Sequence, residues 1–366
     1  MIISVGKKEF SEGVLRVARF AERRSASLPV LAGIAIVAGD DGIKLRATNL
    51  ETGIDFKIEG TIKEAGVVVL PATTLREITG AFTDTGTITL EHAGETVVLS
   101  SPAGTSTLKT LAYEDFPTLP FPEAKNAKFT LPGSALRTLV TTVAPNASPS
   151  TVRPELGSVL LAAEGGVVKA VATDSFRLAE KRMPVVGNVA PFSILIPAKN
   201  ALDIVQTIPD TDIEVLIDEH QCAFSWPDGI ITTRLVTVPY PDYTQIIPKT
   251  FVSEATVLRK DFEAVLRRTA VFSDTFQKVR IAFSTPEKKL IFSARNSDIG
   301  EASESISSSI TGDAVELSFN HRYLQAPLPL IATDNFTLSS AGIGRPLVMR
   351  GVGDMTFLYL VMPMNQ

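Results

Sequence analysis

The chain has 366 residues, of which 45% are hydrophobic and 20% are charged, with a formal net charge of −5. No run of about 18 apolar residues predicts a membrane helix, and the first residues lack the basic and apolar regions of a signal peptide. A single cysteine, Cys222, excludes an intramolecular disulfide framework and favours a reducing compartment, so we expect a cytoplasmic protein. The net negative charge argues mildly against nucleic-acid binding, although a sum does not show where basic groups gather.

One pattern occurs three times along the chain. Each copy has an apolar strand, a polar turn and a second strand that ends in alanine and a small polar residue. The alanine is Ala47 in the first copy, Ala172 in the second and Ala294 in the third. The copies are about 120 residues apart, whereas the units of solenoid proteins are roughly 20–50 residues long. The spacing therefore predicts three similar domains in tandem.

Six segments have apolar residues at helical spacing. The first contains Phe10, and Arg16, Arg19 and Arg23 follow one another at i, i+3 and i+7 on a second face. Proline is favourable at the first position of a helix but does not continue one. The remaining helices are predicted from Pro71, after Pro132, after Pro197, around Phe262, and from Asn320 to a break at Pro327 and Pro329.

Short alternating or β-branched runs between these helices predict strands of about 4–6 residues. Each domain is therefore expected to have two βαβββ halves, with two helices and about eight strands. Proline and polar residues near 120–126 and near 248–254 predict linkers. Strands outside the threefold pattern are predicted at residues 54–58, 67–70, 87–90, 96–99, 213–217, 230–235, 336–338 and 357–361.

The predicted helices carry basic residues on the side that is not apolar. A helix with one apolar face can lie across a sheet and expose its other side, so six of them can line a common concave surface. Acidic residues are concentrated elsewhere, in the predicted loops. The basic residues are Arg16, Arg19, Arg23, Arg24, Arg76, Arg137, Lys199 and Arg267.

No catalytic or metal-binding pattern is present in the sequence. His220 and Cys222 are close, but a structural metal site normally needs four ligands, and no further ligand is near in sequence. Phosphate-binding loops, nucleophile elbows and zinc-protease motifs are missing from the sequence. We therefore expect no metal, no cofactor and no enzymatic activity.

Several separate segments resemble one family, the bacterial DNA sliding clamps, which are beta subunits of the replicative DNA polymerase III. The segments occur in the family's order over the whole chain. They are residues 28–31 (LPVL), 47–51 (ATNLE), 108–117 (LKTLAYEDFP), 171–178 (VATDSFRL), 196–199 (IPAK), 240–249 (YPDYTQIIPK), 319–323 (FNHRY) and 361–364 (VMPM).

The resemblance implies an α+β fold of three tandem clamp domains, at residues 1–122, 123–249 and 250–366. Helices would lie inside and antiparallel sheets outside a ring formed by a head-to-tail homodimer. Such a ring encircles duplex DNA without reading its sequence, and it acts as the processivity factor of DNA replication. Its partners would be the replicative polymerase, the clamp loader and other proteins with short clamp-binding peptides, and the basic helix residues above would face DNA.

The family also binds its partners in an apolar pocket between the second and third domains. Leu108 of the first domain and Val271 and Phe272 of the third would form the contact between subunits. The pocket residues implied by the resemblance are Leu156, Thr173, Ser175, Phe176, Arg177, Leu178, Pro241, Ile246, Asn320, Tyr323, Leu360, Val361, Met362, Pro363 and Met364.

Some positions depart from the family pattern. Ser175 and Phe176 replace the commoner Gly and His, Gln245 replaces a frequent basic residue, and the chain ends in Asn365 and Gln366. Two alternatives stay open. A paralogous clamp that only binds peptides would be dispensable for replication, and a nuclease using turn aspartates would cut DNA in the presence of magnesium.

Overall fold

The computed structural model describes residues 1–22, 27–82, 86–119, 121–122, 127–185 and 189–364. The chain forms two compact units. The first contains Met1–Arg137, Val189–Phe192 and Lys199–Leu235, and the second contains Thr138–Asn188, Ser193–Ala198 and Val236–Gln366. Within the described ranges, no helix is both long enough and apolar enough to cross a membrane.

The first repeat has two βαβββ halves with one additional short strand. Its first helix buries Phe10, Val14 and Val17 on one face, as the periodicity predicts. The elements are β1 (Ile2–Gly6), α1 (Lys7–Val17), β2 (Gly33–Gly39), β3 (Gly42–Thr48), β4 (Thr52–Ile58), β5 (Thr61–Glu64), β6 (Gly66–Pro71), α2 (Ala72–Gly80), β7 (Thr87–Ala93), β8 (Thr96–Ser101) and β9 (Gly104–Lys109).

The second repeat has the same order of elements, with three strands after each helix. Its elements are β10 (Ala127–Pro132), α3 (Gly133–Val143), β11 (Ser158–Glu164), β12 (Val167–Thr173), β13 (Arg177–Pro184), β14 (Phe192–Pro197), α4 (Ala198–Val205), β15 (Asp212–Ile217), β16 (Gln221–Trp226) and β17 (Gly229–Arg234).

The third repeat again has two such halves and one additional short strand. Phe262 of its first helix lies edge-on against Phe292 and Phe336, with ring centroids 5.3 and 5.1 Å away. These contacts anchor the helix to two different strands of the repeat. The elements are β18 (Ser253–Leu258), α5 (Arg259–Ala270), β19 (Lys278–Ser284), β20 (Lys289–Asn296), β21 (Gly300–Ser307), β22 (Ser309–Gly312), β23 (Val315–Asn320), α6 (His321–Gln325), β24 (Asn335–Ser340), β25 (Leu347–Gly351) and β26 (Phe357–Val361).

Four antiparallel sheets contain these strands. The first unit holds a five-stranded sheet in the order β5-β1-β7-β8-β9 and an eight-stranded sheet in the order β10-β15-β16-β17-β4-β3-β2-β6. The second holds a nine-stranded sheet, β14-β11-β12-β13-β26-β25-β24-β18-β22, and a four-stranded sheet, β21-β20-β19-β23. Phe192, the first residue of β14, belongs to the first unit.

Two strand pairs join one repeat to the next. β4 of the first repeat pairs with β17 of the second, with Thr52 opposite Thr233. β13 of the second repeat pairs with β26 of the third, with Arg177 opposite Val361. In both pairs, the last strand of one βαβββ half meets the last strand of another. The second repeat is therefore divided between two sheets: β10 and β15–β17 lie in one, and β11–β14 lie in the other.

The predicted halves and helices are confirmed, with several local corrections. The first helix ends at Val17 and Arg19 lies in a 3₁₀ turn (Ala18–Phe20), so Arg16 and Arg19 do not continue along one α-helical face. Pro71 ends strand β6 in extended conformation, and the second helix begins one residue later. The second predicted linker is shorter than expected because β18 begins at Ser253. Residues 120 and 123–126 of the first linker lie outside the described ranges.

Candidate functional site

A tight turn at residues 173–177 connects β12 to β13, and we call it the second turn. The Asp174 carboxylate accepts hydrogen bonds from the backbone N–H groups of Phe176 (2.9 Å) and Arg177 (3.0 Å). The Thr173 hydroxyl donates to the Arg177 carbonyl (2.7 Å) and accepts from the Ser175 N–H (3.1 Å). Ser175 has a φ of 77°. These bonds hold a left-handed backbone that non-glycine residues seldom adopt, and they leave the Phe176 side chain 61% exposed.

Arg177 is fixed in place from three directions. Its guanidinium donates to the Asp174 carboxylate (2.9 Å) and to the Pro145 carbonyl (2.9 Å), and it lies 4.8 Å from the centre of the Tyr323 ring. Burial disfavours its charge, but hydrogen bonding to Asp174 and the neighbouring Tyr359 raise the pKa of Arg177 above its ordinary value. A permanent cation therefore lies between the second turn and helix α6.

The segment after β26 runs beside the second turn. The Met362 N–H donates to the Phe176 carbonyl (2.8 Å), and the Met364 N–H donates to the Ser318 carbonyl (2.7 Å). The Tyr359 hydroxyl donates to the backbone carbonyl of Tyr323 (2.8 Å). These bonds bring the end of the chain, the second turn and helix α6 together.

An apolar floor lies under this region. Leu178 and Leu360 are buried in one cluster, and Met362, Tyr240 and Ile247 pack against it. Because Leu178 and Leu360 are fully buried, they form the floor of the site and not an accessible wall.

The loop after Tyr240 is attached to the same sheet through a buried carboxylate. The Tyr243 hydroxyl donates to Glu180 (2.5 Å), and the Arg182 guanidinium donates to the other carboxylate oxygen (2.7 Å). Burial, together with Glu180, raises the pKa of Tyr243, so the phenol stays protonated and keeps donating. This loop carries Pro241 and Ile246, both of which are exposed.

The structure thus places most of the expected pocket residues around one site. Leu156 is buried and accepts a hydrogen bond from the Ser148 N–H, while Asn320 caps α6 by accepting from the Arg322 N–H (3.0 Å). Asp174 and Pro145 were not among the expected pocket residues. The Thr-Asp pair before a strand signals a turn that binds its own backbone, whereas nothing in the sequence marks the Pro145 carbonyl.

The residues expected between subunits differ in exposure. Val271 is 64% exposed, and the half-buried Phe272 ring lies beside Gly300 at the start of β21. Leu108 is only 5% exposed within its own chain. Its side chain packs inside the first unit, while the strand that carries it, β9, is otherwise exposed, and its place in a contact between subunits stays a prediction.

Three of the expected DNA-facing residues line one groove of the first unit. Arg19, Arg76 and Lys199 surround a space of about 1440 Å³. Glu22, Glu51 and Asp203 also line it, so the formal charges in the groove balance. Arg19 donates to the Gln206 side chain (2.6 Å), and burial raises the pKa of Asp203 against the opposing effects of Lys199 and Arg19.

The other basic residues that the structure describes contact side chains or carbonyls of their own chain. Arg16 lies over the Phe56 ring at 5.5 Å, and Arg267 pairs with Glu263 one helical turn away (2.8 Å). Arg137 pairs with Asp210 and donates to the carbonyls of Val205 (3.0 Å) and Ile208 (2.7 Å). These bonds tie Arg137 to the end of α4 and the segment after it, and its DNA-facing role stays a prediction. Arg23 and Arg24 lie outside the described residues.

The described ranges contain no group of three or more His, Cys, Asp or Glu side chains that could hold a metal ion. Cys222 is buried inside β16, and burial raises the pKa of its thiol. The thiol is therefore an unreactive core group.

Several known proteins are similar to this chain. Three family profiles match, those of the N-terminal (residues 1–120), central (130–242) and C-terminal (244–365) domains of the DNA polymerase III beta subunit. The beta sliding clamp of Synechococcus elongatus is 27% identical over 346 residues, which is 92% of each chain. That of Streptomyces coelicolor is 28% identical over 385 residues, covering 100% of this chain and 99% of the other. The crystal structure of the DNA polymerase III beta subunit of Thermotoga maritima has a TM-score of 0.94 at 22% identity, with 100% of both chains covered. This chain therefore belongs to the DNA polymerase III beta subunit family.

Proposed function

We propose that this chain is a DNA sliding clamp, a non-catalytic ring that encircles duplex DNA and tethers the replicative polymerase and other proteins to it. Its three clamp domains would span residues 1–122, 123–249 and 250–366. Family membership supports the general function, and one observation about strand pairing supports the ring.

Consecutive repeats pair through equivalent strands each time, and among the described strands one at each end of the series is left without a partner on its outer side. The last strand of a repeat's first half pairs with the last strand of the next repeat's second half, as in β4 with β17 and β13 with β26. The third repeat's equivalent strand is β21, and the first repeat's is β9. Both are edges of their sheets and are mostly exposed.

Exposed edge strands invite pairing with another chain. If β21 of one copy pairs with β9 of a second, the same rule operates between subunits, and the contact is head to tail. A heterologous contact of this kind makes a closed ring only when the rotation completes a full turn. Two copies would bring six repeats into the ring, and Leu108 would contribute through the backbone of β9 next to Phe272.

Weak basic contacts suit a ring that slides. Contacts to phosphates carry no sequence information, and their strength falls as salt rises. Arg19, Arg76 and Lys199 face the groove of the first unit, where acidic neighbours balance them. Topological linkage, not tight binding, would then keep the protein on DNA.

The site around the second turn would bind a short peptide from each partner. It combines an apolar floor with the exposed Phe176 and Ile246 side chains and with the fixed Arg177 cation. Apolar surface with a few well-placed polar groups is typical of such pockets, and methionine side chains adapt to several ligands. The polymerase and the clamp loader are the expected partners.

Retention on DNA tests the ring directly. After loading by the clamp loader, the protein should stay on circular plasmid and slide off the same plasmid once it is linearised.

Phe272→Asp should give folded monomers that are not retained, because it places a charge in a buried contact. Met355→Asp, at an exposed residue, is the matched control and should still sediment as a dimer. Equal retention on both plasmids would contradict the proposal.

A further inference from the structure

The turn at residues 48–52, which we call the first turn, has the same hydrogen bonds as the second. The Asn49 side-chain oxygen accepts from the backbone N–H groups of Glu51 (3.0 Å) and Thr52 (2.7 Å). The Thr48 hydroxyl donates to the Thr52 carbonyl (2.8 Å) and accepts from the Leu50 N–H (3.0 Å). Leu50 has a φ of 70°, where the second turn has Ser175 at 77°.

The strands beside the two turns also correspond. β4 begins at Thr52 and pairs with β17, as β13 begins at Arg177 and pairs with β26. One residue further along, the buried Leu178 of the second site corresponds to Gly53. A Cβ atom at Gly53 would lie 2.6 Å from a methyl carbon of Leu119, so the missing side chain is what lets Leu119 lie against β4.

A small cavity lies beside the first turn. Its volume is about 150 Å³, and apolar groups of Leu50, Pro117 and Leu119 share its wall with the polar side chains of Gln221 and Thr232. A cavity of about this size holds a benzene ring, so it is large enough for one aliphatic side chain. The walls contain both apolar surface and hydrogen-bonding groups, as binding pockets commonly do.

Two features of the rim point toward a peptide ligand. Leu50 is 50% exposed and left-handed, a conformation that suits Asn far better than Leu, so local folding does not explain why a leucine is there. Arg234 at the end of β17 is exposed, lines the cavity and forms no ion pair with another described residue. Its guanidinium is a natural partner for a carboxylate.

We propose that the cavity beside the first turn is a second peptide site, which takes one aliphatic side chain from a short extended peptide whose neighbouring carboxylate pairs with Arg234. The inference rests on the proposed function, since the ligand class follows from the likeness of the two turns. It adds a contact on the first unit, separate from the site around the second turn.

Methyl NMR of the full-length protein tests the proposal. The probe is the tripeptide acetyl-Ala-Leu-Asp at millimolar concentration, and acetyl-Ala-Ser-Asp is the control for the aliphatic side chain. Saturable shifts of the Leu50 and Leu119 methyl groups are expected with the first peptide only. Met362 and Met364 report on the second turn in the same spectra.

The reporters separate the two proposals. Shifts at Met362 and Met364 alone would overturn the second peptide site and leave the proposed function intact. Shifts at Leu50 and Leu119 alone would support the second peptide site and count against the pocket at the second turn. No shift at either set would overturn the second peptide site and count against that pocket as well.

A substitution distinguishes binding from structural support. Leu50→Asn suits the left-handed backbone, so the melting temperature should hold or rise, while tripeptide affinity at the first turn should fall by about tenfold because the apolar rim is lost. Arg234→Gln should weaken the Asp-containing peptide and leave acetyl-Ala-Leu-amide unaffected. Ile343→Asn, at an exposed residue elsewhere, should change neither. Unchanged affinity in Leu50→Asn would overturn the proposal.

Discussion

The first turn, at residues 48–52, and the second, at residues 173–177, fold through the same set of hydrogen bonds but display different side chains. The second turn presents Phe176 and a fixed Arg177 above the buried Leu178, whereas the first presents Leu50 and Glu51 beside Gly53. The same backbone frame therefore presents different side chains in the two repeats. We expect those side chains, and not the frame, to decide what each turn binds.

The largest expected difference between the turns comes from removing residues 362–366. Met362 and Met364 are bonded beside the second turn, and Met362 packs on its apolar floor. We expect the deletion to bring binding of a polymerase-derived clamp peptide below detection in fluorescence anisotropy. Tripeptide binding at the first turn and the sedimentation of the dimer should be unchanged. Loss of the dimer would show that the tail has a wider structural role.

Asp174→Ala should have the next largest effect. It removes the acceptor of two backbone N–H groups and the ionic partner of Arg177, so a largely buried charge loses its counterion. Losing a hydrogen bond to a charged group costs about 1.5–3 kcal/mol, and Arg177 keeps its contacts with Pro145 and Tyr323. Hydrogen exchange should show much faster exchange of the Phe176 and Arg177 amides. Protection equal to the parent protein would mean that the pair contributes little.

Asn49→Ala is the matched change at the first turn and should cost less. Asn49 accepts from the same two backbone positions, but it pairs with no charged side chain. Leaving such groups without a partner costs about 1–3 kcal/mol. The Glu51 and Thr52 amides should exchange faster by a smaller factor than the corresponding amides in Asp174→Ala. A larger factor would show that the ion pair is not what distinguishes the two turns.

The smallest effect concerns helix α6, beside the second turn. Burial lowers the pKa of His321 below its ordinary value of 6.5, and the positive charge of the neighbouring Arg322 lowers it further. The unfolded state therefore binds more protons near this pH, and stability should fall as pH falls through 6.5. The protection factors of the α6 amides, which correct for the intrinsic pH dependence of exchange, should fall at acidic pH. His321→Gln, which can still donate to Gln277, should remove the dependence. A dependence that persists in the variant would exclude His321 as its source.

Local patterns were enough to predict the helices and the paired halves. Phe10, Val14 and Val17 lie on one buried face because helical spacing is fixed within a few residues. The joining of repeats was not predictable, because the partners of β4 and β13 lie far away in sequence and any antiparallel strand of similar composition could have paired with them. The hydrogen bonds of Arg137 were not predictable for a related reason, since the two carbonyls that it binds belong to a segment about 70 residues later.

At the site, the residues carried by family motifs came together, but their roles needed the structure. Leu178 and Leu108 looked like contact residues and proved to be buried. Exposure depends on which strands pair, and single-residue composition does not encode it. The threefold pattern already aligned Ala47 with Ala172, but only the structure shows that Asn49 and Asp174, which differ in charge, make the same backbone hydrogen bonds.

The division of the second repeat between two sheets has a consequence for how the chain is made. Thr52 finds its partner Thr233 only after roughly 180 further residues have left the ribosome, and such distant pairings fold slowly. Until then β4 presents an open edge, the kind of surface that aggregates in nascent proteins. A fragment that contains β4 but lacks β17 would retain that open edge, so we expect it to aggregate more readily than the whole chain.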